Sequence, residues 1–205
     1  MSELPGFSDL VMAVQIRDFT EAEWSALEHI AESHTRQVSR RNDPKSPGAE
    51  PLTTADYDDL IGSIPALERI GKALDEVAEL YLSTQHPGAP VLGYGLKRTG
   101  SWMSVYKTGQ ARETHTHDSD VSVVLFVDDV PEEDGGVLGF LNPTNRHVIG
   151  GTGLLQTTFR KQFTLTPQRC VAVAFPGYLE HFATEYQGLD TRRIIAADFA
   201  AFDSK

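Results

Sequence analysis

The chain has 205 residues, 40% of them hydrophobic, and a formal charge of -11. That is enough to bury one good core, and too acidic to favour phosphate backbones or anionic lipid surfaces. The lone Cys170 excludes an internal disulfide, no apolar run approaches the roughly 20 residues of a membrane helix, and MSELPGFSD lacks the basic start and apolar centre of a secretory signal. A cytoplasmic protein with neither nucleic-acid nor membrane partners is expected.

In chain order, LVMAVQI predicts a short strand, and Thr20 with Glu23 gives the capping-box signature of a helix start. Trp24, Leu27, Ala31, His34 and Val38 follow at three- and four-residue spacing, which lays one side of that helix on the core. The charged, proline- and glycine-rich run 40–51 marks a loop, read as a surface connection in preference to a lid over a pocket. A second helical stretch begins near Thr54, breaks between Gly62 and Pro65, and continues with Leu67, Ile70, Leu74, Val77, Ala78 and Tyr81 on one side, a packing stripe. QHPGAP ends it.

From Val91 onward, short runs punctuated by glycine or proline predict strands near 91–97, 101–107, 120–127, 137–141, 161–166, 169–175 and 191–199. Residues 1–90 then form a mainly helical support and residues 91–205 a β core. The expectation is a single domain, mostly β: a double-stranded β-helix, or cupin-like jelly roll, backed by helices. VSVVLFV is apolar on both faces, as a strand between the barrel interior and those helices must be. Cys170, inside the apolar run CVAVAF, reads as a small buried hydrophobe.

The stretch YKTGQARETHTH carries the chemistry. Side chains at i and i+2 of an extended backbone share a face, so His115 and His117 are spaced to grip one ion. FPGYLEH delivers a third imidazole, His181, after an apolar run and a Pro-Gly turn. Three imidazoles from two distant strands make a metal site, whereas His29, His34, His86 and His147 stand alone and read as structural.

Tyr106-x2-Gly109-x5-His115-x-His117, then DGGVLGFLNP with Gly135-Gly136 opening a strand, then FPGYLEH and a late arginine, resembles the prolyl-hydroxylase-like iron(II)/2-oxoglutarate oxygenases. Within them it is similar to the putative 2-oxoglutarate oxygenases whose Ser-Trp strand, here Ser101-Trp102, precedes an HxH motif. The likeness spans roughly Leu74 to Phe199. It implies Fe(II), 2-oxoglutarate as cosubstrate, O2, and hydroxylation of an unactivated C–H bond in a small-molecule, amino-acid or peptide substrate. His115 and His181 match the family's metal-binding histidines, and His117 falls where most members carry the aspartate of HxD. The third ligand is therefore His117 or a nearby carboxylate, Asp118 or Asp120. Strict alternation turns both aspartates away from the His115/His117 face and favours the three-histidine set.

The resemblance also implies a cation on the last strand, pairing with the far carboxylate of 2-oxoglutarate. Arg192 and Arg193 are the candidates, and they must face opposite ways. Arg193 shares its parity with Ile195, Ala197 and Phe199, an apolar set expected to point inward, and is preferred. Tyr106 matches the family position beside that carboxylate and shares parity with Ser104 and Trp102. Gly135-Gly136 serves backbone geometry. Two other classes fit the histidines: a three-histidine cupin dioxygenase that uses no 2-oxoacid, and a non-catalytic jelly-roll module holding zinc or nickel.

Overall fold

The structure, a computed structural model, describes residues 10–37, 50–54, 58–143 and 162–203. Its elements run β1 (Met12–Gln15), α1 (Glu21–Ser33), β2 (Arg36–Gln37), β3 (Leu52–Thr53), α2 (Leu60–Ser63), α3 (Glu68–Gln85), α4 (Ala89–Leu92), β4 (Tyr94–Tyr106), β5 (Arg112–His115), β6 (Val121–Phe126), β7 (Leu138–Leu141), β8 (Gln162–Leu165), β9 (Val171–Pro176), β10 (His181–Ala183) and β11 (Arg192–Asp203). The strands pair into a seven-stranded sheet, in the order β1-β9-β6-β11-β4-β3-β2, and a four-stranded sheet, β5-β10-β7-β8, with antiparallel ladders throughout. This is the jelly roll expected from the strand count, with the helices laid against the larger sheet.

Local chemistry explains the helices. Thr20 caps α1: its Oγ1 accepts from the Glu23 backbone N–H at 3.3 Å while Glu23 Oε2 accepts from the Thr20 N–H at 2.7 Å. Leu27 and Ile30 are buried from this helix, and Val38 lies outside the described residues. On α3, Ile70, Leu74, Val77, Ala78 and Tyr81 are all buried, as their spacing predicts.

Strict alternation splits the apolar residues of the large sheet into two cores. Met103, Val105, Val121, Val123, Leu125, Ala172, Ala174, Ile195, Ala197 and Phe199 pack against the helices. Tyr106, Val124, Phe126, Val173, Phe175, Ile194 and Ala196 face the other way and meet Leu138, Phe140 and Ala183 of the smaller sheet. Every residue of β6 is buried, which is why its sequence is apolar on both faces.

Three expectations need correcting. The strands read as 91–97 and 101–107 are one strand, because β11 pairs along the whole of β4 and the spare residue near Gly100 is absorbed by a bulge opposite Asp198 and Phe199. Val91 and Leu92 belong instead to a helical turn closed by Gly93 at φ 86°. The second helical stretch starts at Leu60 rather than Thr54, since Thr54 is buried as an extension of β3: its N–H donates to Met103 O at 3.1 Å and its Oγ1 accepts from Met103 N at 2.9 Å. Residues 40–49 of the first proposed loop and 144–160 of the connection after Asn142 lie outside the described residues.

Candidate metal centre

β5 and β10 are antiparallel neighbours with His115 and His181 directly opposite each other in register. His117 lies just beyond the end of β5, where its N–H donates to Gly177 O at 2.8 Å and keeps the backbone extended enough to return the ring to the same face. The ring centroids are 4.2 Å apart for His115 and His181, 4.9 Å for His117 and His181, and 5.3 Å for His115 and His117. One nitrogen from each ring lies within 4.8 Å of the others.

The outer nitrogens fix which atoms face inward. His115 Nδ1 lies 2.8 Å from Glu113 O, His181 Nδ1 lies 2.9 Å from Leu179 O, and His117 Nδ1 lies 2.7 Å from Asp198 Oδ1. A carbonyl and an ionised carboxylate only accept, so each Nδ1 carries a proton and each Nε2 is the nitrogen left to face the cavity. Burial, reinforced by the neighbouring His181 imidazole, holds the pKa of His115 down at about 3. Burial likewise holds His181 down at about 4. The two rings are thus neutral at physiological pH, the form a metal requires.

Neither sequence-proposed aspartate joins this group. Asp120 Oδ2 accepts from Ala201 N at 2.7 Å, and Asp118 is exposed at the rim of the adjoining cavity. The carboxylate that does reach the histidines is Asp198, one hydrogen bond behind His117. Its Oδ1 also accepts from Ser122 Oγ at 2.6 Å and Ser119 Oγ at 3.3 Å. Its parity with Arg192, Ile194 and Ala196 was the available signal.

The histidines open into a cavity of about 400 Å³, within the range of small-ligand sites. Trp102, Ser104 and Tyr106 line it from β4, as their shared parity predicts, and Arg192, Ile194, Ala196 and Asp198 line it from β11. Arg112 and Glu50, paired with each other, stand on another wall.

The two arginines are placed opposite to the expectation. Arg193 points toward the helices, where its Nε and Nη2 clasp Asp128 at 3.0 and 2.6 Å and its guanidinium lies 4.7 Å from the Trp24 ring centroid. Ile195, Ala197 and Phe199 do share its face, but that face looks onto α1 to α3 and not into the barrel. Arg192 is the one in the cavity. It is 1% exposed and lies 4.3 Å from the centroid of Tyr106, and its Nε and Nη1 have no hydrogen-bond partner among the described residues. Burial pushes its pKa down, opposed by the Tyr106 phenol. Gly136, at φ 61°, makes room for it: a Cβ there would come within 2.9 Å of Arg192 Cδ.

The fold has counterparts among known proteins. No curated protein matches the chain. A prolyl-4-hydroxylase from Pseudomonas putida superposes with a TM-score of 0.60 at 16% identity, over 92% of each chain. HygX from Streptomyces hygroscopicus, solved with nickel, 2-oxoglutarate and hygromycin B, superposes with a TM-score of 0.59 at 14% identity, over 95% of this chain and 84% of that one. The epimerase SnoN from nogalamycin biosynthesis gives 0.62 at 12% identity, over 92% and 79%. At such identities these likenesses speak for the fold. The sequence model of the putative 2OG-Fe(II) oxygenases matches residues 100–198, the span that holds all three histidines, Arg192 and Asp198.

Proposed function

We propose that the protein is an Fe(II)- and 2-oxoglutarate-dependent dioxygenase that hydroxylates an unactivated C–H bond of a small-molecule, amino-acid or peptide substrate. The observation that carries this reading is one cavity holding both three inward-facing imidazole nitrogens and a buried guanidinium with two nitrogens unpartnered among the described residues. Three imidazole nitrogens suit iron(II) and leave coordination positions open, and a buried guanidinium with nitrogens unpartnered among the described residues suits a dicarboxylate. Bound there, iron(II) would supply the chemistry that converts 2-oxoglutarate and O2 to succinate and carbon dioxide while one oxygen atom enters the substrate.

The chain's own residues do the rest. His115, His117 and His181 hold the metal on one side of the cavity. Arg192 grips the carboxylate of 2-oxoglutarate remote from the metal, with Tyr106 stacked on the guanidinium to keep its fork aimed. Ile194 and Ala196 lie between Arg192 and the Asp198–His117 end of β11 and, with Val124 and Trp102, form the apolar walls that exclude water.

The three-histidine set keeps a cupin-type dioxygenase in view as a second reading, but such an enzyme has no use for the Arg192 cation. Anaerobic calorimetry of 2-oxoglutarate on Fe(II)-loaded protein, followed by succinate measurement in air, separates the two. Metal-dependent 2-oxoglutarate binding and succinate formation are expected. Oxygen consumption indifferent to 2-oxoglutarate would hand the site to the second reading, and a loaded protein that neither binds 2-oxoglutarate nor consumes oxygen would leave a metal-binding module.

A further inference from the structure

The three histidines are not backed alike. His115 and His181 direct Nδ1 at backbone carbonyls, whereas His117 directs it at a carboxylate, Asp198 Oδ1, at 2.7 Å. That oxygen is itself held in place: Ser122, buried at the register position opposite Asp198 on β6, donates to it at 2.6 Å, and Ser119 donates at 3.3 Å. Asp198 lies at the bulge of β11 against β4, so its aim is set by the backbone of the central sheet.

We propose that Asp198 is a positioning residue for the metal, and that His117 and Asp198 together replace the single carboxylate of a two-histidine, one-carboxylate site. Three neutral imidazoles leave the whole charge of a divalent ion uncompensated, while an aspartate ligand would cancel one unit. Asp198 restores that unit one hydrogen bond further out. The Nδ1–H to carboxylate bond also holds His117 in the tautomer and ring orientation that present Nε2, and it makes that nitrogen a stronger donor. The alternative is a carboxylate that only satisfies two serine hydroxyls. Against it, Ser119 Oγ and Ser122 Oγ lie 3.0 Å from each other, so one hydroxyl can donate to the other and at most one of the two needs Asp198.

The proposal rests on the histidines binding a metal, so its test reads metal affinity rather than turnover. Nickel(II) binding by calorimetry on the full chain is expected to weaken about 10–100-fold in Asp198→Asn and to change little in Ser122→Ala. The deciding variants exchange the two partners. His117→Asp alone sets two carboxylates against each other and should bind nickel(II) poorly, whereas His117→Asp combined with Asp198→Asn moves the charge into the ligand set and should recover most of the affinity. Wild-type affinity in Asp198→Asn, or equal losses in Asp198→Asn and Ser122→Ala, would overturn the pairing while leaving the metal site standing. A double variant no better than His117→Asp alone would do the same, and Asp198→Ser, measured in the same way, decides the matter if Asp198→Asn fails to fold. A wild-type chain that takes up no nickel(II) would remove the metal site and this inference with it.

Discussion

Arg192 and Arg193 are adjacent in sequence and have opposite energetics. Arg193 is neutralised within the fold by its two bonds to Asp128, whose Oδ2 also accepts from the Arg193 N–H at 2.7 Å. Arg192 is 1% exposed with two nitrogens unpartnered among the described residues, an arrangement that costs several kcal/mol and that stacking on Tyr106 offsets only by about 2 kcal/mol. On the proposed function, that group is kept for 2-oxoglutarate. Arg192→Met should therefore cut 2-oxoglutarate affinity of the nickel-loaded protein on the order of 100-fold, the worth of one charge-assisted pair, while leaving urea stability of the metal-free chain unchanged or higher. Arg193→Met should do the reverse, losing about 2 kcal/mol because the half-buried Asp128 loses its cation and keeps only the backbone N–H of residue 193, with 2-oxoglutarate affinity retained. Calorimetry and urea titration of the two variants side by side check both halves.

At the level of whole elements, periodicity was legible and facing was not. Two-residue alternation is local, so His115 with His117, and Trp102 with Ser104 and Tyr106, follow from the sequence and are found together. Which side of β11 meets the cavity is a tertiary fact. The strand divides two apolar cores, so Ile195, Ala197 and Phe199 look no more interior than Ile194 and Ala196. The better guide was polarity: Arg192 and Asp198 share a parity and bracket the functional face, as buried polar groups tend to do. β5 and β10 have four and three residues and were too short to separate from turns, although they carry His115 and His181. The helix starts were easier because a cap is written in two residues. Thr20→Ala should cost about 1 kcal/mol of stability, read as a lower urea midpoint at unchanged slope, without altering metal affinity. A loss of metal binding in that variant would mean that α1 does more than cover the large sheet.

Across the molecule, metal-ready histidines couple the site to acid stability. His115 and His181 are held at about 3 and about 4 in the folded protein, chiefly by burial, whereas free histidine titrates near 6.5. Between those values the unfolded chain binds protons that the folded chain refuses, so stability rises with pH there. The contribution is complete above about pH 6.5 and is lost as pH falls through the folded values of about 4 and about 3. Most carboxylates titrate lower, which leaves roughly pH 6.5 to 5 as a window where imidazoles dominate. Over that window the metal-free chain should lose about 3 kcal/mol, seen as a urea midpoint that is flat above neutrality and falls below it. Nickel loading should raise the midpoint most at neutral pH and progressively less on acidification, since protons and metal compete for the same Nε2 atoms. A metal-free midpoint that stays level from pH 7 to 5 would show the rings taking up protons without leaving the fold, and would place them in a wetter setting than opposing strands of a closed jelly roll provide.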